Sequence, residues 1–435
     1  MKKQLQQISN SKASNSRLPI LFTLVLMLVS MIGMTQTAYI TGWDGNVYVI
    51  NVATNTVIDT IKVGALPIGV SVISDGSKVY VTNQNANTVS VINTSTNTVA
   101  ATITLGTYNN PVGVSVSPDG SKIYVANSFI HTVSVINAAT DTISAIIEVG
   151  SYSEGVSVSP DGSKVYVANW MDNTVSVINT ATNTVSTTIT VSPSGHNLFS
   201  APLFLSVSPD GSKVYVTDNV YYDGAVSVIN TSADTISATI TVGHDPTGIC
   251  VSPDGSKVYV TNWNNDSTGT LSVINTATNT VSATIPVGNG PTGVSVSPDG
   301  SKVYVTNSDS VGTISVINTV TNTVSATITV GYYPEAVGNF ISTHIPAGIP
   351  SLSIDASSIS IYPNPATNQL TIHTSSFQNE ALTVSVMNVL GETMQEEKIK
   401  WSSDIRVNIK NLAAGIYFLE MKSENGSVVK RFVKE

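Results

Sequence analysis

The stretch Pro291-Thr-Gly-Val-Ser-Val-Ser-Pro-Asp-Gly-Ser-Lys-Val-Tyr-Val-Thr-Asn307 decides the fold, because close versions of it recur along the chain. Its tyrosine, Tyr304, has six counterparts at intervals of 41 to 49 residues: Tyr39, Tyr80, Tyr124, Tyr166, Tyr215 and Tyr259. A period of about 40 to 50 residues that holds several short strands is typical of β-propellers and solenoids. The sequence therefore predicts an array of seven all-β repeats.

Each repeat predicts four antiparallel strands, named A to D in chain order. In the last complete repeat, residues 293–297 and 302–306 alternate small or polar residues with β-branched ones. Ser297-Pro298-Asp299-Gly300 between them has the composition of a type I turn, so these two strands are predicted to form a hairpin. Residues 313–318 and 323–330 form the second pair, joined by an Asn-containing turn that suits a left-handed backbone.

The two ends of the array predict how it closes. The first repeat begins at Ala38, already in strand B, whereas residues 334–341 resemble strand A and have no hairpin partner after them. If this C-terminal strand completes the first blade, the array is a closed ring of seven four-stranded blades without a free sheet edge at the seam. An open solenoid would need polar caps at both ends, and the sequence shows none.

The first 35 residues predict a signal peptide. Three lysines and Arg17 precede an apolar run from Leu18 to Met34. An uncleaved membrane anchor is the alternative, because this run approaches spanning length; with cleavage the mature chain has no stable membrane span. Removal of residues 1–35 takes away four positive charges, so the net charge of the mature chain changes from −9 to −13. This acidity argues against nucleic acid as a partner.

The repeated motifs resemble a known family. Lys-Val-Tyr-Val-Thr-Asn at 78–83, 257–262 and 302–307, together with Ser-Pro-Asp-Gly-Ser-Lys, is similar to the YVTN family of surface-layer-type β-propellers. The resemblance covers residues 38–341, and the predicted propeller domain is 36–341. It implies a seven-bladed ring with strand A lining the central channel, in extracellular proteins of diverse roles, and it implies no activity.

A linker at 342–353 precedes a second predicted domain, 354–435. Its motifs resemble the type A C-terminal sorting domain of type IX secretion in the Bacteroidetes, and alternating strands predict a small β-sandwich. The resemblance implies export through the periplasm, recognition by the secretion translocon and sorting machinery, and a final place on the cell surface or outside the cell. An ordinary binding domain is the alternative. The residues that carry the sorting signal are Pro363, Asn364, Pro365, Gly415, Tyr417, Lys430 and Lys434.

The loops of the ring predict a binding face. The A–B and C–D turns are nearly uniform and polar, whereas the B–C and D–A loops on the other side carry aromatic residues. Apolar rings gathered on one face indicate a surface for a carbohydrate or a protein, and packing between neighbouring loops is the alternative. The predicted binding residues are Trp43, Phe129, His131, Trp170, Tyr221, Tyr222, Trp263, His244, Tyr332 and Tyr333.

The sequence indicates catalysis less clearly than it indicates binding. Glu154 and Glu335 follow the strand A proline position three blades apart, and with His244 and Asp245 they form the one candidate cation or catalytic site. No spacing typical of a catalytic triad or a phosphate loop is present. We therefore predict a secreted, non-enzymatic binding propeller with no catalytic residues, no metal and no cofactor. The alternatives are a structural surface-layer component and a lactonase- or lyase-like enzyme.

Overall fold

The computed structural model describes residues 36–191, 201–219, 224–264, 268–342, 359–374, 381–388, 393–400, 402, 404–423 and 426–435. These residues fall into two compact units, one before residue 347 and one after it. Every regular element in the described ranges is a β-strand. None of these residues belongs to a helix long and apolar enough to cross a membrane.

The first unit holds 27 strands in seven sheets. Blade 1 consists of β1 (Thr37–Gly42), β2 (Asn46–Asn51) and β3 (Thr56–Lys62). Blades 2 to 4 consist of β4 (Pro67–Val72), β5 (Lys78–Asn83), β6 (Thr88–Asn93) and β7 (Thr98–Thr104); β8 (Pro111–Val116), β9 (Lys122–Asn127), β10 (Thr132–Asn137) and β11 (Thr142–Glu148); and β12 (Ser153–Val158), β13 (Lys164–Asn169), β14 (Thr174–Asn179) and β15 (Thr184–Thr190). Blades 5 to 7 consist of β16 (Ala201–Val207), β17 (Lys213–Asn219), β18 (Ala225–Asn230) and β19 (Thr235–Thr241); β20 (Pro246–Val251), β21 (Lys257–Asn262), β22 (Thr270–Asn275) and β23 (Thr280–Pro286); and β24 (Pro291–Val296), β25 (Lys302–Asn307), β26 (Thr313–Asn318) and β27 (Thr323–Thr329).

The A–B turns form as their sequence predicts. Gly300, at a φ of +71°, donates its backbone N–H to the carbonyl of Ser297 at 2.7 Å. The Asp299 carboxylate accepts hydrogen bonds from the Ser297 hydroxyl at 2.5 Å and the Ser301 backbone at 3.0 Å. The same arrangement recurs at Asp161, where hydrogen bonds from Ser159 and Ser163 lower the pKa of the carboxyl to about 2. These turns are therefore rigid, charged and nearly identical.

The innermost strands of adjacent blades approach each other very closely at one glycine position. A Cβ atom at Gly69 would lie 2.2 Å from the Val112 carbonyl oxygen, and one at Gly248 would lie 2.2 Å from that of Thr292. No real Cβ fits at these distances, so most blades need glycine there. Blades 1 and 5 are the exceptions: Ala336 stands at this position in blade 1, and in blade 5 Phe204 packs its ring into the apolar centre of the channel.

Each A–B turn lysine links its blade to the next one. The Lys78 ammonium donates to the Ala138 carbonyl at 2.9 Å and pairs with Asp141 at 3.0 Å. The other five lysines also reach a backbone carbonyl of the following blade: Lys122, Lys164, Lys213, Lys257 and Lys302. The contact repeats from blade to blade, so it fixes the angle between blades.

The ring closes at the first blade, as the sequence predicts. Residues 334–341 lie beside β1, where Tyr39 donates its N–H to the Phe340 carbonyl at 2.9 Å. Isolated bridges replace a regular strand here, where Ala336 and Gly338 have φ values of +46° and +112°. Across the same seam, the Lys302 ammonium of blade 7 donates to the Val52 carbonyl of blade 1 at 2.8 Å.

The second unit is a small β-sandwich. One sheet contains β28 (Ile359–Tyr362), β29 (Gln369–Thr374) and β32 (Asp404–Asn408); the other contains β30 (Ala381–Met387), β31 (Thr393–Lys400), β33 (Gly415–Ser423) and β34 (Gly426–Lys434). Buried residues of both sheets share one apolar core, which includes Ile372 of β29 and Leu419 of β33. The predicted sandwich is therefore confirmed.

We expect Phe340→Ala to destabilise the ring strongly, because this fully buried side chain packs the seam. Truncating a buried phenylalanine costs about 3–5 kcal/mol. Val320→Ala is the matched control: its side chain is 86% exposed, and we expect a change within about ±0.5 kcal/mol. Chemical denaturation of both variants measures the difference, and equal stabilities would contradict closure through residues 334–341.

Candidate functional site

The two faces of the ring present different chemistry. On one face lie the uniform A–B turns. On the other lie the B–C and D–A loops, which we call the aromatic face, where Trp43, Phe129 and Tyr332 are 44%, 53% and 51% exposed. Large apolar rings exposed on one face usually mark a surface for a ligand or partner.

Apolar side chains fill the channel beneath the aromatic face. Ile68, Val112, Val337 and Phe204 cluster at its centre. The free space among the surrounding strand A residues is only about 30 Å³. Such a space holds about one water molecule, so a larger ligand cannot pass through the ring. Any ligand site in the channel must therefore lie at its mouth.

A cavity of about 640 Å³ opens at the mouth of the channel, lined by residues of blades 2 to 5 around blade 4, and we call it the blade-4 cavity. This volume is typical of small-molecule sites. Its walls combine aromatic rings with amide, hydroxyl and carboxyl groups. Its lining residues are Gln84, Asn85, Asn110, Ser128, Phe129, Tyr152, Glu154, Trp170, Leu203 and Asn219.

The aromatic wall of the cavity is positioned by backbone and ring contacts. Trp170 donates its backbone N–H to the Tyr152 carbonyl at 2.9 Å, and the two ring centroids lie 6.0 Å apart. The Phe129 ring meets Tyr152 edge-on at 5.9 Å. His131 stands behind this group: the Tyr152 N–H donates to its Nδ1 at 2.9 Å, and the two rings lie 5.4 Å apart. Three predicted binding residues are thus brought together around a tyrosine that was not among them.

Glu154 provides the carboxyl group of the cavity. Burial raises its pKa to about 7, against an opposing effect of the hydrogen bond that the Ser128 hydroxyl donates at 2.7 Å. The negative charge of Glu335 raises the pKa further. Because a group with a pKa near neutrality can gain or lose a proton at ordinary pH, Glu154 is suited to proton transfer as well as to hydrogen bonding.

A second group of the same residue types lies at the ring seam: Trp43, Tyr332, Tyr333 and Glu335, which we call the seam cluster. The Trp43 and Tyr333 centroids lie 5.0 Å apart, and Tyr332 meets Tyr333 edge-on at 4.5 Å. Burial raises the pKa of Glu335 to about 7, while a side-chain hydrogen bond from Trp43 favours its charged form.

The remaining predicted residues are dispersed. Trp263 lies apart from the cavity lining, against the Gly290 backbone, and His244 is exposed beside it in the preceding loop. Tyr221 and Tyr222 lie outside the described residues. Within the described ranges no three His, Cys, Asp or Glu side chains are grouped as metal ligands. Glu154, Glu335, His244 and Asp245 are therefore not assembled into a cation site.

Sequence reasoning missed the polar part of the cavity. Gln84, Asn110, Ser128 and Asn219 come from three blades and carry no motif, so nothing in the sequence marks them as neighbours. Tyr152 could have been found, because it occupies the same repeat position as Tyr333, directly before strand A.

Blade 5 adds one more buried carboxyl group near the cavity, that of Asp218. Asp218 stands where the repeat usually has asparagine, next to the lining residue Asn219. Burial raises its pKa to about 7, although the Ser227 hydroxyl donates to it at 2.6 Å. Asp218 and Glu154 are thus shielded from water, in contrast to the exposed aspartates of the A–B turns.

In the second unit, the motif residues approach the last strand. The Asn364 side chain accepts a hydrogen bond from the Val433 N–H at 2.9 Å, and Gly415 pairs with Lys434 across β33 and β34. The Tyr417 ring stacks on Phe432 with centroids 5.8 Å apart. Their role as the sorting signal stays a prediction.

Fold and loop geometry thus define a β-propeller followed by a sandwich domain, and comparisons agree. Residues 360–435 match the family described as the secretion system C-terminal sorting domain. Residues 222–329 match the family described as lactonase, 7-bladed β-propeller. Among solved structures, hydrazine synthase of Kuenenia stuttgartiensis is 22% identical over 58% of this chain and 76% of that one, with a TM-score of 0.53, which shows the fold alone. No curated protein matches the chain significantly.

The chain is a seven-bladed β-propeller with a C-terminal sorting domain, and type IX secretion exports it to the cell surface or the extracellular space. One prediction is wrong. The match of residues 222–329 to a family named for lactonases overturns the expectation of a protein without enzymatic activity. The sequence signal for catalysis was weak because the acidic residues carry no local motif.

We expect Glu154→Gln to stabilise the protein at pH 8 more than at pH 4. The pKa of Glu154 is about 7 in the folded protein, above its ordinary value of 4.5, so the folded state holds the proton more tightly than the unfolded one. The stabilisation that protonated Glu154 contributes is therefore complete below about pH 4.5 and is lost as the pH rises through about 7. Thermal unfolding of wild type and variant across this range measures the effect.

Glu148→Gln is the control for this measurement, because Glu148 is an exposed glutamate on the outermost strand of a neighbouring blade. We expect this variant to follow the wild type at every pH. A Glu154→Gln effect of equal size at pH 4 and pH 8 would show that the carboxyl is not held in its raised-pKa environment.

Proposed function

We propose that the exported propeller binds a carbohydrate in the blade-4 cavity. The observation that carries the proposal is one cavity of about 640 Å³ that combines the rings of Tyr152 and Trp170 with the carboxyl group of Glu154. Flat aromatic faces suit the C–H faces of sugar rings, and the carboxyl and amide groups suit their hydroxyls.

The shape of the site favours a carbohydrate over a protein partner. A protein interface of ordinary size needs a broad surface with a fully desolvated centre. Here the exposed rings border a concave site, and polar groups such as Gln84 and Asn110 hydrogen-bond each other along its rim at 3.0 Å. A purely structural surface-layer role would need no concave site of this kind.

We expect Trp170→Ala to weaken carbohydrate binding by about 2 kcal/mol or more, the usual loss for a central aromatic anchor. Trp263→Ala is the matched control, because Trp263 occupies the same repeat position with the same 37% exposure but lies outside the cavity lining. Isothermal titration with glycans selected on a glycan array measures both. Equal losses, or no loss in either variant, would contradict binding in this cavity.

Lactone hydrolysis is the second candidate, supported by the lactonase match and by the raised pKa of Glu154. In this reaction the Glu154 carboxylate takes a proton from water, and the water oxygen bonds to the lactone carbonyl carbon. The ring C–O bond then breaks, and the departing ring oxygen receives the proton from Glu154 and becomes a hydroxyl group. Water is the only co-reactant.

If Glu154 acts in this way, kcat/KM for glucono-δ-lactone rises about tenfold per pH unit up to about pH 7 and then levels off, because only the carboxylate can accept the proton. Glu154→Gln removes the base, and we expect a loss of about 10²–10⁴-fold. Rates are measured after subtracting spontaneous hydrolysis. A variant as active as the wild type, or a rate that does not change across pH 7, would end this candidate.

A further inference from the structure

The seam cluster repeats the blade-4 arrangement at three positions. Tyr333 and Tyr152 both immediately precede strand A, Glu335 and Glu154 both lie at its second position, and Trp43 and Trp170 both follow strand B. In blade 4 the Trp170 backbone N–H donates to the Tyr152 carbonyl at 2.9 Å, and in blade 1 the Trp43 backbone N–H is shared between the carbonyls of Tyr332 at 3.0 Å and Tyr333 at 3.4 Å. No other blade combines these three residue types at these positions.

The backbone conformation at the positions of the two tyrosines does not favour tyrosine. Tyr333 and Tyr152 have φ values of +44° and +54°, a region that bulky residues rarely adopt. The same position in blades 3, 6 and 7 holds Asn110, Asp245 and Gly290, which accept a positive φ more easily, whereas blade 2 holds Leu66 at a φ of +53°. Strained residues of this kind concentrate at functional sites, so these rings indicate a function beyond the turn.

The carboxyl groups of the two clusters also interact electrostatically. The charge of Glu335 acts on Glu154 across the channel mouth, and both carboxyl groups are largely withdrawn from water. Two such carboxyls disfavour an acidic ligand, whereas a neutral ligand rich in hydroxyl groups can donate hydrogen bonds to both. A chain of sugar units offers such hydroxyls at regular intervals.

We infer that the seam cluster is a second sugar-binding site, and that the ligand is a neutral linear oligosaccharide whose units stack on both clusters across the channel mouth. The inference rests on the proposed carbohydrate binding at blade 4 and adds the second site and the ligand class. A chain that engages both sites gains affinity because the second contact is intramolecular.

The test uses isothermal titration of the full chain with xylo-, cello- and chito-oligosaccharides of two and six sugar units, and with oligogalacturonides as the acidic series. We expect six-unit neutral chains to bind at least about tenfold more tightly than two-unit chains, as bivalent contact predicts. Acidic chains should bind more weakly than neutral ones of the same length.

Tyr333→Asn is the decisive variant, because asparagine fits the positive φ, as Asn110 does in blade 3, and the ring alone is lost. We expect it to abolish the gain with chain length and to reduce two-unit binding from two sites per chain to one, the blade-4 site. Tyr152→Asn should weaken the binding of both two-unit and six-unit chains. Trp263→Ala should weaken neither.

Three outcomes are informative in different ways. If wild type binds two-unit chains but gains nothing with length, or if Tyr333→Asn keeps the gain, the second site is wrong and the blade-4 site stands. If no member of the four series binds to the wild type, the proposed carbohydrate function itself is contradicted, and the second site with it.

Discussion

The close approach of the innermost strands is the constraint on which the rest of the structure depends. At the strand A glycines, the backbone of one blade lies where a side chain of its neighbour would begin, as Gly69 shows with a virtual Cβ 2.2 Å from the Val112 oxygen. Seven blades packed at this distance leave a channel too narrow for a ligand, and Phe204 fills part of what remains. Chemistry is thereby excluded from the centre and confined to the loops at the mouth.

The two faces of the ring differ in sequence because of how the blades are joined. On the turn face, each lysine such as Lys164 donates to a carbonyl of the next blade, here Thr231 at 3.0 Å, and changes there would weaken the ring. On the aromatic face, comparable links lie at the base of the loops, where for example Gly243 donates its N–H to the Asn262 side chain of the next blade at 3.1 Å, and the outer loop residues differ from blade to blade. The outer loops are free to vary in length and residue type, which is why one scaffold can hold different sites on the same ring.

The carboxyl groups at the channel mouth illustrate the cost of such a site. Burial of Glu154 and Glu335 raises the pKa of each to about 7, so at higher pH their ionisation opposes folding. Exposed rings and strained tyrosines add to this cost. The repeated turns and the fully buried tyrosine core, with Tyr304 hydrogen-bonded to blade 1 at 3.0 Å, offset it. The proposed site thus lies where these costs are concentrated, as is common for binding sites.

The sequence by itself determined the number of blades, the hairpins within them, the closing role of residues 334–341 and the sorting domain. These features depend on residues close in the chain, such as the Pro298-Asp299-Gly300 turn, or on a motif counted seven times. Only the tertiary structure decided which loops meet. It placed Tyr152 beside Trp170, set Ser128 against Glu154 and withdrew that carboxyl from water. Contacts and burial of this kind depend on the angle between blades, which no local pattern of residues records.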